Sequence, residues 1–179
     1  MSETKLSLEQ EYAYALFCEG ENLFITGPGG TGKTLLISYM VEQCKKVGKT
    51  CQVTALTGCA TTLLPDNCNA RTIHSFSGGK LFRGEKEKII QGILRKKVNR
   101  QNWRKTDVLI VDEVSMMSKK MFEILEEAAR TIRLSQIPFG GIQVIFLGDF
   151  LQLPPVPNQN EKYSGKFCFE TRLWEKVFP

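Results

Sequence analysis

The chain has 179 residues, 42% of them hydrophobic and 24% charged, with a net charge of +5. That is one domain with room for a proper core and an ordinary globular balance. A membrane-spanning helix is excluded, because no apolar run approaches ~18 residues, and the charge is compatible with a polyanionic partner without demanding one.

The start, Met1-Ser2-Glu3-Thr4-Lys5, lacks the basic-then-apolar pattern of a secretory signal and the Arg-rich look of a transit peptide. Ser7-Leu8-Glu9-Gln10 has the S-x-x-Q form of a capping box and predicts a helix to Cys18, stopped by Gly20. A strand is expected over Asn22–Thr26. It runs into Gly27-Pro28-Gly29-Gly30-Thr31-Gly32-Lys33-Thr34, which spells G-x-x-x-x-G-K-T ahead of a helix Leu35–Val47. Strand, Gly-rich loop and helix start make a phosphate-binding loop. Its glycines let backbone N–H groups turn inward around a triphosphate. Lys33 reaches the β- and γ-phosphates, and the Thr34 hydroxyl suits Mg²⁺. The residues predict a nucleoside triphosphate as ligand.

After Gly48, Cys51–Ala55 reads as a second strand, and a short helix over Cys59–Leu64 ends near Pro65-Asp66-Asn67. Gly78-Gly79 opens a loop. Glu85–Val98 then carries Ile89, Ile90, Ile93, Leu94 and Val98 at the spacing of one amphipathic helix. Arg95, Lys96, Lys97, Arg100, Arg104 and Lys105 make its end basic, either as a solvated end complementing its own dipole or as a phosphate contact. Val108–Val111 is a continuous apolar run, as expected of a strand covered on both faces. A helix Ser118–Ile132 follows, with Met121, Phe122, Leu125, Ala128 and Ala129 inward, then a buried strand Ile142–Leu147. Leu153-Pro154-Pro155-Val156-Pro157 must be loop. This alternation predicts an α/β fold, a parallel sheet with helices on both faces, without repeats or low-complexity segments.

Ligands of such sheets gather at the carboxyl ends of the strands. The third predicted strand ends in Asp112-Glu113. There an acid can hold Mg²⁺, and its neighbour can polarise an attacking water. The fourth ends in Gly148-Asp149-Phe150-Leu151-Gln152, where an amide can report on the γ-phosphate. Six scattered cysteines and a single histidine, His74, lack zinc spacing and read as idle thiols of a reducing, intracellular compartment. Nucleus, mitochondrion, bacterial cytosol and virus factory are not distinguished.

The ordered set resembles the first motor domain of a superfamily-1 DNA helicase of the RecD/PIF branch. Leu6–Gln10 is similar to its Q motif, Val53–Ala60 to motif Ia, and Arg71–Phe76 to the T-I-H-S-F segment of motif Ib. Val111–Met116 is similar to motif II, Gly148–Val156 to motif III, and Phe167–Trp174 to the aromatic segment beyond. The resemblance implies a RecA-like P-loop NTPase domain over residues 1–179 that uses ATP and Mg²⁺, with the fourth strand between the first and the third. It assigns catalysis to Lys33, Glu113 and Gln152. Nucleotide binding falls to Gln10, Gly27, Gly29, Gly30, Thr31, Gly32, Lys33 and Thr34, and the metal to Thr34 and Asp112. Single-stranded DNA and duplex junctions are the implied partners, gripped through Thr57, Gly58, Thr72, His74 and Phe76. Hydroxyls, an imidazole and backbone N–H groups suit phosphates without reading sequence. Phe76 or Phe150 can stack on a base or pack in the core.

The resemblance also implies a monomer without membrane attachment, 5′-to-3′ movement, and a second RecA-like domain with motifs IV, V and VI and an arginine finger. The 179 residues stop at Val177-Phe178-Pro179, short of those motifs. Alone they are expected to bind ATP–Mg²⁺, hydrolyse it feebly and unwind nothing. The rival readings are an AAA-type or kinase-like phosphate-loop enzyme, disfavoured by GDFLQLPPV, and an ATP-gated module that grips single strands without turnover.

Overall fold

The computed structural model describes residues 5–161 and 164–179. The first four residues, part of the N-terminal stretch read for a targeting signal, lie outside them. A five-stranded parallel sheet runs through the molecule: β1 (Leu23–Thr26), β2 (Cys51–Ala55), β3 (Arg71–Thr72), β4 (Val108–Asp112) and β5 (Gln143–Gly148). Their order across the sheet is β1-β5-β4-β2-β3, so the fourth predicted strand does lie between the first and the third.

Helices α1 (Leu8–Glu19) and α2 (Lys33–Lys46) cover one face. The other is covered chiefly by α4 (Ile73–Ser77), α5 (Lys86–Arg95), α6 (Lys97–Lys105), α7 (Lys119–Arg133) and α8 (Arg172–Val177); the short α3 (Gly58–Thr62) follows β2. The strands β4 and β5 are buried at every position, which is why they read as unbroken apolar runs. Alternation persists inside them: Leu109, Val111, Val144 and Phe146 enter one core cluster, and Val108, Ile110, Ile145 and Leu147 the other.

Local chemistry sets most boundaries. Ser7 and Gln10 form the expected reciprocal cap of α1, which ends on Gly20 at φ +93. Ser118 caps α7 through the N–H of Met121.

Two expectations change. The single helix Glu85–Val98 is two, parted where Lys96 turns extended (φ −85, ψ 121). Asn99 and Arg100 turn their side chains onto the carbonyls of Ile93 and Leu94, closing the end of α5. Trp103 is fully buried; in a continuous helix it would point about a third of a turn away from Ile90 and Ile93. Val98 therefore leaves the inner face and is 59% exposed. The second change is β3 with α4, for which the sequence offered a motif and no element.

Candidate functional site

The chain leaves β1 into a loop that tight backbone approaches hold closed. A Cβ at Gly27 would stand 2.9 Å from Thr31 Oγ1, and that hydroxyl donates to the Pro28 carbonyl at 2.9 Å. Gly30 and Gly32 take φ +80 and +81, left-handed values that glycine adopts without strain. Helix α2 begins at Lys33 on this glycine cap, with neither a capping side chain nor an acid in its first turn. Its leading N–H groups and positive dipole end are thus left for an anion. Lys33 Nζ donates to the Gly27 carbonyl at 2.6 Å and the Pro28 carbonyl at 2.9 Å, which holds its charge over the loop. Thr34 is exposed on the same turn, and Gly29 has open space around its Cβ position.

Two strands away, Asp112 closes β4 at 8% exposure and accepts the Glu113 N–H at Oδ1, 3.0 Å. Burial pushes its carboxyl above the ordinary value. The Glu113 N–H and the nearby Lys33 ammonium oppose that rise, while the Glu113 charge adds to it. Glu113 itself is left-handed (φ 58, ψ 40), a conformation of about 1–3 kcal/mol for a residue with a side chain. It throws the chain into the turn Val114–Met116, which packs on Gly148, where a Cβ would meet the Val114 nitrogen at 3.0 Å.

The pairings Thr26↔Gly148 and Val111↔Phe146 level the strand ends, so loop, acids and the Gly148–Gln152 turn share one edge of the sheet. Gln152 is exposed there, and its amide is turned onto Asp149 Oδ2 at 3.4 Å. Oxygen donors from Thr34 and Asp112 suit Mg²⁺, which takes one or two protein ligands beside phosphates and waters. The ion would supply charge neutralisation at the phosphates.

Gln10 serves two elements at once. Its Oε1 accepts the Ser7 N–H at 3.0 Å, and its Nε2 donates to the Thr31 carbonyl at 2.9 Å. Gln10 lines a cleft of about 390 Å³ whose apolar floor residues are Ala13, Ile25 and Leu36, with Lys33 also in its lining. A planar base fits such a slot. These three floor residues were not foreseen; Ala13, three positions after Gln10 on a helix, carried the signal.

A larger cleft, about 590 Å³, has Leu56, His74, Phe82, Met116 and Pro155 among its lining residues. His74 stands edge-on to Phe82 at 5.5 Å, and its burial lowers the imidazole pKa. Thr57 and Thr72 cap α3 and α4 by accepting the N–H groups of Ala60 and Ser75, which leaves each hydroxyl its own hydrogen to donate. Pairing of Ala55 with Thr72 sets them at neighbouring strand ends, with Gly58 exposed beside them.

Phe76 does not join this group. It is fully buried, 4.7 Å from Trp103 and under the Arg71 guanidinium at 5.2 Å, so it has no face for a base. Phe150 packs among Phe24, Phe169 and Trp174. Sequence reasoning missed Lys120 and Glu161 at the rim of this cleft, since no local pattern links residues so far apart.

The PIF1-like helicase family model matches residues 3–178. The ATP-dependent DNA helicase PIF5 of Trypanosoma brucei brucei is 39% identical over 97% of this chain and 21% of its own length. The crystal structure of Pif1 helicase from Candida albicans superposes with a TM-score of 0.86 at 39% identity, covering 99% of this chain and 39% of that one. The Bacteroides Pif1 helicase in complex with ADP-AlF3 and single-stranded DNA gives a TM-score of 0.76 at 30% identity, over 98% of this chain and 41% of that one. The chain spans about a fifth of the length of the curated relatives it matches. Its fold is the RecA-like P-loop fold of these structures.

Proposed function

The chain belongs to the PIF1-like helicase family, and we propose that it is the ATP-binding first motor domain of a helicase that moves on single-stranded DNA and opens duplex junctions. One observation carries the reading: the phosphate loop that follows β1 and the Asp112-Glu113 pair that ends β4 lie at the same carboxyl edge of the sheet. The loop and Lys33 hold the phosphates, Thr34 and Asp112 hold Mg²⁺, and Glu113 polarises the attacking water. Gln10 meets the base edge, and Gln152 swings from Asp149 to the γ-phosphate. Thr57, Gly58, Thr72 and His74 grip strand phosphates beside the larger cleft, which His74 lines; the relative from Bacteroides captured with a single strand supports strand binding as such.

Full turnover needs a second RecA-like domain, which supplies an arginine across the nucleotide cleft, a contribution of ~10³–10⁵ in rate. The 179 residues alone therefore bind ATP–Mg²⁺ and a single strand but hydrolyse slowly. The deciding experiment is binding of a fluorescent ATP analogue to the wild-type chain and to Lys33→Ala. Loss of affinity in the variant is expected, and unchanged affinity overturns the reading.

A further inference from the structure

Two loops, residues 78–84 and 155–161, wall the larger cleft. Among the described residues, one clasp ties them together. Lys120 Nζ, on the first turn of α7, donates to Glu161 Oε2 at 2.6 Å and to the Gly84 carbonyl. Glu161 Oε1 accepts the Gly84 N–H at 2.6 Å. The two side chains are only 22% and 17% exposed, so these charge-assisted bonds are partly withdrawn from solvent screening. Gly84 sits at φ +96 with open space at its Cβ position. Its glycine identity thus answers to backbone conformation, which presents N–H and C=O to the clasp together.

Each loop leads directly to a part of the proposed machinery. Loop 78–84 carries Phe82, buried and edge-on to His74. Loop 155–161 follows Gln152 and starts at the buried Pro155. Past the second loop, Ser118 pairs with Phe167 and the Lys119 N–H donates to the Lys166 carbonyl at 2.9 Å, which anchors the following stretch of chain beside the start of α7. The clasp spans the gap between the walls.

We propose that Lys120 and Glu161 are positioning residues for strand binding: by clasping Gly84 they set the width of the cleft, so that a single strand meets His74 and the Leu56–Thr57 turn in one geometry. This rests on the function proposed above. Neither residue needs to touch the strand.

The test is anisotropy of a fluorescein-labelled oligo(dT) titrated with the 179-residue chain, paired with binding of a fluorescent ATP analogue. Lys120→Met and Glu161→Gln each weaken oligo(dT) binding about tenfold, the factor a charge-assisted bond commands, while analogue affinity stays within about twofold. Retained analogue binding also shows that the variants fold. Lys120→Arg keeps wild-type affinity. The exchange Lys120→Glu with Glu161→Lys regains most of the loss, because Gly84 offers both a donor and an acceptor to the swapped pair. Single variants that bind like the wild type overturn the clasp. So does an exchange no better than the singles, which would make Lys120 a mere cation on the strand. Failure of the wild-type chain to bind oligo(dT) at all overturns the functional reading along with it.

Discussion

A Cβ at Gly32 would stand 2.4 Å from Gln10 Nε2, so the first helix lies directly against the last glycine of the phosphate loop. The same Nε2 donates to the Thr31 carbonyl, which couples the wall of the base slot to the loop that grips phosphate. Gly32→Ala is expected to displace Gln10 and to strain a residue at φ +81. ATP-analogue affinity should fall at least about tenfold. Gln10→Ala should be milder for affinity, yet it should erase the preference for an ATP over a GTP analogue. Competition binding with both analogues checks this; a preserved preference removes Gln10 from base recognition.

Glu113 combines the proposed water-polarising role with a left-handed backbone. Glu113→Gly should relieve that conformation and raise the unfolding midpoint by a few degrees, about what 1 kcal/mol gives in a domain of this size, while abolishing turnover. Glu113→Gln keeps the backbone strain and should leave the stability near wild type, with ATP held unhydrolysed. Calorimetry beside single-turnover hydrolysis separates the two. If the wild type binds ATP and shows no single-turnover hydrolysis, the chain is a nucleotide-gated binding module; turnover unchanged in both variants removes Glu113 from the chemistry.

Phe76 lies in the motif expected at the strand, yet its ring is sealed against Trp103. Phe76→Leu should therefore destabilise by about 1 kcal/mol and leave oligo(dT) affinity unchanged. Trp103→Ala should destabilise by about 3–5 kcal/mol. A tenfold loss of strand binding in Phe76→Leu, with stability intact, would restore Phe76 to the interface.

These residues show where the sequence was legible. Strands β4 and β5 announce themselves because both faces are covered, and the phosphate loop because glycine, lysine and threonine each have a separate task at fixed spacing. The two-residue β3 is set by pairing with β2, seventeen residues upstream of Arg71 at Thr54, and no local preference records that. The break at Lys96 depends on where Trp103 must go, a tertiary demand that a helical period does not contain. For Phe76 the motif leaves both a base and the core open, because it fixes a residue's place in the chain and leaves its burial to neighbours such as Trp103, far along the chain.

Acid should expose the clasp at the rim of the larger cleft. The Lys120 hydrogen bond is the main cause holding the Glu161 carboxyl below its ordinary value of 4.5, followed by the Gly84 N–H, with smaller help from the charges of Lys120 and Arg83. A carboxyl whose folded pKa is lowered stabilises the protein above its unfolded value, and that contribution vanishes as pH falls through the folded one. Wild type and Glu161→Gln should thus differ in unfolding midpoint at neutral pH, and the gap should close as pH falls from the ordinary value of 4.5 through the lowered folded one. Lys120→Met should converge with the wild type over the same interval, since it removes the same stabilising partner. Chemical denaturation across that range provides the measurement. A gap that persists unchanged into acid would mean that Glu161 stabilises the loops by packing, with its charge idle.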